Sequence, residues 1–201
     1  MKQLYMTICA LSLLLFSADA YAASFDAVKD YSCTENIAGT WELEAYRADD
    51  GKYLSMVFGH APLKEVSKYG IDAHYLPDGD QPYYPFVTKF GDVLVCSPAT
   101  SGKRYDAVIA WVARKDGGAV ISGMVKLLGD MYGHADGKKV RASVLLGGRE
   151  LWAADVTGGA AASFRVEEKV RAGDRVRLHI TNTGDSSGNI SDVDLHVETA
   201  D

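Results

Sequence analysis

Apolar and polar residues alternate with a period of two along most of this chain. "KVRASVLL" puts Val140, Ala142, Val144 and Leu146 on one face, with Arg141 and Ser143 on the other. "DRVRLHIT" turns Val176, Leu178 and Ile180 one way and Arg175, Arg177 and His179 the other. "SDVDLHVET" separates Val193, Leu195 and Val197 from Asp192, Asp194, His196 and Glu198. Side chains alternate across a strand, so each run reads as a strand with one face on a core and one in water. Leu178 is then a core residue whose truncation to Ala should cost about 2–5 kcal/mol. Arg177, on the wet face, should be dispensable.

Turn residues punctuate these runs. Gly117-Gly118, Gly147-Gly148, Gly158-Gly159 and Gly173-Asp174 each fall between two alternating segments. Gly147-Gly148 fits a two-residue hairpin turn that needs positive φ. Further strands are expected in "TWELEAYR", "YLSMVF", "PFVTKF", "DVLVC", "DAVIAWVAR", "AVISGMVKLL" and "RELWAADV". The helical period is nearly absent. The best candidate is Ala61 to Tyr69, with Pro62 suited to a first turn and Gly70 to a stop. The pattern predicts an all-β fold, a single antiparallel β-sandwich of jelly-roll type with about 9–11 strands and little helix. No low-complexity linker divides the chain.

The first 22 residues stand apart. Lys2 supplies a positive start, Ile8 to Phe16 is mostly apolar, and Ala20-Tyr21-Ala22 is a small-x-small cleavage signal. This is the layout of a secretory signal peptide. The apolar run is too short to span a bilayer, and no second long one follows. The expected organisation is a signal peptide over 1–22 and one sandwich domain over 23–201, secreted or periplasmic.

Composition narrows the partners. The formal net charge is −6, and removing Lys2 and Asp19 with the leader leaves it unchanged. An acidic chain without a basic block does not suit nucleic acid or an anionic membrane surface. Cys33 and Cys96 remain after processing, an even pair in an oxidising compartment. A bridge between them would close a loop of about 64 residues, worth about 4 kcal/mol in the chain-entropy model.

The segment "FDAVKDYSCTENIAGTWELEAYR" resembles the opening of a family of exported bacterial modules, through Phe25, Asp30, Tyr31, Ser32, Asn36, Gly39 and Trp41. "DAVIAWVARKDGGAVISG", "HADGKKVRASVLLGGRELW", "VRAGDRVRLHIT" and "GNISDVDLHV" are similar to its later segments in the same order. The chain departs from the family at Ile37, where Pro is usual, and at Leu43-Glu44, where Tyr-Gly is usual. The resemblance implies a jelly-roll sandwich similar to carbohydrate-binding modules, which occur alone, within sugar-processing enzymes and in cell-surface proteins.

Catalytic signals are sparse. There is no Gly-x-Ser-x-Gly elbow, and His60, His74, His134, His179 and His196 form no zinc-protease spacing. His179 and His196 would sit together if their strands were neighbours. A sandwich glycoside hydrolase or polysaccharide lyase would have to draw its carboxylates from Glu65, Asp72, Asp78 or Asp80, none at a recognisable spacing. No cofactor is expected. Structural calcium has candidate ligands in Asp130, Asp136, Asp185 and Asp192, with Asn182 and Asn189 beside them, but the spacing is not that of an EF-hand. The Thr181–Ser191 stretch is better explained as a bend than as a metal site, because Asn, Asp, Gly and Ser suit turns.

Sugar binding needs aromatic faces with polar neighbours. "GIDAHYLPDGDQPYYPF" lacks alternation and reads as a loop. It offers Tyr75, Tyr83 and Tyr84 for stacking and Asp78, Asp80 and Gln81 for hydrogen bonds. The same tyrosines could instead fold over an open sheet edge. Trp41, Trp111 and Trp152 lie in apolar runs and read as core. The leading expectation is a non-enzymatic module binding carbohydrate or a surface glycan. The alternative is an envelope domain whose partner is a protein.

Overall fold

The structure is a computed structural model that describes residues 21–31, 40–61, 71–77, 85–98, 105–129, 134–183 and 189–200. Fourteen strands and one four-residue helix make up the described residues. They are β1 (Tyr21–Asp26), α1 (Ala27–Asp30), β2 (Trp41–Arg47), β3 (Lys52–Ser55), β4 (Val57–Ala61), β5 (Ile71–Tyr75), β6 (Phe86–Phe90) and β7 (Val93–Ser97). They continue with β8 (Tyr105–Val112), β9 (Gly117–Gly129), β10 (Lys139–Leu146), β11 (Arg149–Thr157), β12 (Ala161–Val170), β13 (Arg175–Asn182) and β14 (Ile190–Ala200). The expected range of 9–11 strands rises because "YLSMVF" breaks at Met56 into β3 and β4, and because β1 and β5 lack the alternation that marks the others.

Two antiparallel sheets face each other. One runs β12-β9-β14-β7-β6-β5-β4, with β1 also on β14; the other runs β11-β10-β13-β8-β2-β3. The inner faces are those the period-two pattern assigns. Val140, Ala142, Val144, Val176, Leu178, Ile180, Val193, Leu195 and Val197 are all 0% exposed. Trp41 and Trp111 are in the core, and Phe25 stacks on Trp111 with ring centroids 5.6 Å apart. Trp152 is only half-buried and lies against Phe164 at 4.9 Å.

Turn chemistry follows the sequence in part. Gly147 and Gly148 have φ of 60° and 107°, and join β10 to β11 as expected. Gly117-Gly118 is not a turn: Arg114–Asp116 makes the bend, and both glycines begin β9. Gly123 has a different purpose. A Cβ there would lie 2.0 Å from the Asp194 carbonyl oxygen and 2.7 Å from Phe164, so only glycine lets β14 pass so closely.

Strand β14 is the hub of the larger sheet. Along one edge it pairs with β9 from Ile190 to Thr199. Its other edge is shared, with β7 on Ser191–Val193 and β1 on His196–Ala200. The Tyr21↔Ala200 pairing starts inside the expected leader, two residues ahead of Ala23. Residues 1–20 of that leader and most of the expected Ala61–Tyr69 helix lie outside the described residues, and Ala61 itself ends β4.

Candidate functional site

On the outer face of the six-stranded sheet, alternation in β2 turns Glu42, Glu44 and Tyr46 away from a core held by Trp41, Leu43 and Ala45. The β2–β3 register sets Tyr46 opposite Tyr53, and the β2–β8 register sets Tyr46 opposite Asp106. Strand β13 adds Arg175, Arg177 and His179 to the same face. Six of these side chains close into one cluster.

Its floor is aromatic. The Tyr46 and Tyr53 rings lie 4.9 Å apart, and each lies within 5.5 Å of the His179 ring, Tyr53 edge-on. The Tyr53 hydroxyl is 3.1 Å from His179 Nε2, and His179 Nδ1 is 3.5 Å from Asp106 Oδ2. A carboxylate, an imidazole and a phenol thus run in line. Arg177 covers this row: its guanidinium carbon is 3.8 Å above the centre of the Tyr53 ring. Its Nε donates to Glu44 at 2.7 Å and its Nη2 at 3.3 Å, a bidentate fork. Arg175 forks onto Glu42 in the same way, at 2.6 and 2.9 Å.

The face is wet in pattern but dry in fact. His179 is 4% exposed and Asp106 7%. The Arg177 and Glu44 side chains are 13% and 10% exposed. Arg177 is therefore not the dispensable surface residue its outward position suggests. It is half of a desolvated ion pair that roofs a tyrosine.

Glu42 and Glu44 are each neutralised by an arginine, so neither is a free base or nucleophile. Burial raises the Tyr53 phenol above its ordinary range, so it stays protonated at neutral pH. What the cluster offers is the half-buried Tyr46 ring beside an arginine–glutamate fork whose donors are fixed in place.

The residues singled out from sequence fall differently. Tyr75 is not in a loop: it ends β5, pairs with Phe86 and Val57, and lays its ring over Gly59 of β4, the edge strand. That matches the edge-covering role for this one tyrosine. Asp78, Asp80, Gln81, Tyr83 and Tyr84 lie outside the described residues, as do Glu65, Asp130 and Asp185. Asp72 is exposed, and its carbonyl accepts from the Thr88 hydroxyl at 2.6 Å. Asp136 is an exposed turn residue. Asp192 is half-buried on the outer face of β14, and burial raises its carboxyl above the usual range. Asn189 Nδ2 donates to Asn182 Oδ1 at 2.7 Å and to the Lys139 carbonyl at 3.0 Å, so these two asparagines clamp the base of a bend.

His179 and His196 do not meet, because β13 and β14 belong to opposite sheets. His74 is 1% exposed between Tyr31 and Phe58, with Nδ1 3.1 Å from the Tyr31 hydroxyl. Its Nε2 is buried without a partner, and desolvation pulls the imidazole down to about 4. Cys96 is a buried free thiol pushed up by burial. The expected bridge is thus not formed in this structure, and Cys33 lies outside the described residues.

Sequence reasoning missed the face cluster. Glu42, Glu44, Arg175 and Arg177 alternate visibly, but each fork joins residues 133 positions apart. Opposite charges on two outward faces were the only signal.

No protein-family model matches the chain, and no curated protein is similar to it. Solved structures similar to it include several carbohydrate-binding modules. One is a CBM51 from Clostridium perfringens GH95 in complex with methyl-galactose, 13% identical, covering 87% of this chain and 99% of that one, with a TM-score of 0.40. Another is the CBM22-1 xylan-binding domain from Paenibacillus barcinonensis Xyn10C, 13% identical, covering 89% and 93%, with a TM-score of 0.39. GITRL from Bushbaby is also similar, 11% identical, covering 80% and 96%, with a TM-score of 0.29. With scores this low, none of the three bears on what this chain binds.

Proposed function

We propose that the chain is an exported, non-enzymatic carbohydrate-binding module that takes its glycan on the outer face of the six-stranded sheet. One observation supports this: the half-buried Tyr46 ring, 4.9 Å from Tyr53, adjoins the Arg177–Glu44 fork that covers Tyr53, so an aromatic face and oriented donors lie side by side. Sugar rings need flat apolar faces for their C–H groups and fixed polar groups for their hydroxyls. An arginine already forked to a glutamate keeps donors free for a hydroxyl without re-ordering its own side chain. Asp78, Asp80, Gln81, Tyr83 and Tyr84, with Tyr75, are the alternative contact residues that the sequence offers. Export would also allow Cys33 and Cys96 to oxidise, which mass spectrometry of the unreduced protein would detect.

A glycan array with wild-type protein and the Tyr46→Ala and Tyr53→Phe variants tests the reading. Binding lost in Tyr46→Ala and weakened in Tyr53→Phe supports the face. Binding lost only in Tyr83→Ala and Tyr84→Ala moves the site to those alternative residues. No glycan bound, with an envelope protein captured instead, replaces the reading with a protein-interaction domain.

A further inference from the structure

On the opposite sheet, β14 turns His196 outward beside β1, whose Asp26 is its register partner. His196 Nε2 lies 2.8 Å from Asp194 Oδ1. A carboxylate only accepts, so the imidazole N–H is on Nε2 and the lone pair of the neutral ring is on Nδ1. That lone pair faces Asp26 Oδ2 at 3.6 Å. This is too long for a hydrogen bond. It is close to the roughly 3.4 Å edge between two donors each about 2.1 Å from a tetrahedral zinc.

Two further features hold the arrangement. Asp26 is the N-cap of α1, and its Oδ1 accepts from the Val28 and Lys29 backbone N–H groups at 3.0 Å each. One oxygen is thereby locked and the other aimed. In addition, the Lys29 ammonium sits 2.9 Å from that aimed oxygen, on a side chain that is 82% exposed. A cation already pairs with that oxygen, and it is a displaceable one.

We infer that Asp26 Oδ2 and His196 Nδ1 bind a borderline divalent cation of the zinc class, with Asp194 holding the imidazole from behind. A ligand histidine typically donates its second N–H to a carboxylate, which fixes its orientation and raises its basicity. One imidazole and one carboxylate suit zinc better than calcium, which takes six to eight oxygens. Water completes the coordination, and the ion ties α1 and β1 to the final strand. This site is independent of the sugar-binding face and does not involve Asp130, Asp136, Asp185 or Asp192.

The test is titration calorimetry of the purified protein with Zn2+ and, separately, Ca2+, alongside thermal midpoints with and without each ion. Expected are one saturable Zn2+ site and a midpoint that rises with Zn2+. Both should be lost in His196→Ala, and in His196→Gln should the alanine variant not fold. Affinity should fall about 10–100-fold in Asp194→Asn and rise in Lys29→Gln, which removes the resident ammonium. The proposal is overturned if neither wild type nor Lys29→Gln binds millimolar Zn2+, if binding survives the His196 substitutions, or if Asp136→Asn abolishes it instead.

Discussion

The two outer faces of this sandwich handle charge in opposite ways. On the six-stranded sheet, acids face bases across strands: Glu42 with Arg175, Glu44 with Arg177, Glu150 with Arg141, and Asp155 with Lys139. On the eight-stranded sheet, β14 sets Asp192, Asp194, His196 and Glu198 in file. Register explains the contrast. Opposite Asp194, His196 and Glu198, β9 supplies Met124, Ser122 and Val120, while β1 supplies Asp26 and Ser24 opposite the last two. Across that ladder the acids meet one base, Lys126 opposite Asp192. A face with internally matched charge can be buried and made rigid, whereas a stripe whose acids outnumber its bases, with Lys126 opposite Asp192 and Lys29 beside Asp26, stays poised for an outside cation. The first suits a neutral, hydroxyl-rich ligand, and the second suits a metal.

The largest test breaks the matched face. Arg177→Ala leaves Glu44 buried without its fork and should cost about 3–5 kcal/mol in urea unfolding. The double change with Glu44→Leu should recover most of that loss. A single-variant cost near that of an exposed pair would mean that the face is wet after all.

Acid should expose the interior position of His74. Its folded-state value of about 4 lies below the unfolded value near 6.5, so the unfolded chain binds the extra proton. Stability is full above about pH 6.5, falls by about 3 kcal/mol as pH drops toward 4, and then levels. His74→Phe should flatten that part of the pH–stability curve.

Next in size is Arg175→Ala. Its pair with Glu42 is more open to solvent than the neighbouring fork, with side chains 38% and 31% exposed, and should be worth about 1 kcal/mol or less. The smallest effect belongs to the acidic stripe. Without divalent metal, Asp194→Asn removes a like charge and should stabilise by roughly 0.2–1 kcal/mol. The gain should shrink as salt screens the stripe. With Zn2+ present the same substitution should lower the thermal midpoint relative to wild type.

The core was legible because period two needs only local sequence. Val176, Leu178 and Ile180 are inward, and Val193, Leu195 and Val197 are inward, as their spacing requires. Elements without alternation were not legible. Ile71–Tyr75 carries Asp72 exposed and both Ala73 and His74 buried, a pattern that no strand template selects. The face cluster was invisible for another reason: outward position does not tell how a residue is covered. Arg177 reads as solvated until β2 is known to lie two strands away with Glu44 on the same side. The Asp26–His196 pair needs the register of the first strand on the last, which no spacing along the chain encodes.

The place of β14 in its sheet also dictates timing. Take it away and the larger sheet falls into two ribbons, β12-β9 and β7-β6-β5-β4, with no hydrogen bond between them. Each ribbon then has an open edge with unpaired backbone groups, the kind of edge that recruits a neighbouring chain. The strand that sutures them is synthesised after all the others, and it must also close on β1, nearly the whole described length away in sequence. Loop-closure entropy on that scale slows folding. During synthesis the nascent sheet therefore holds two sticky seams until Ile190–Ala200 has emerged. Loss of those few residues should give a chain that aggregates rather than one that is merely less stable.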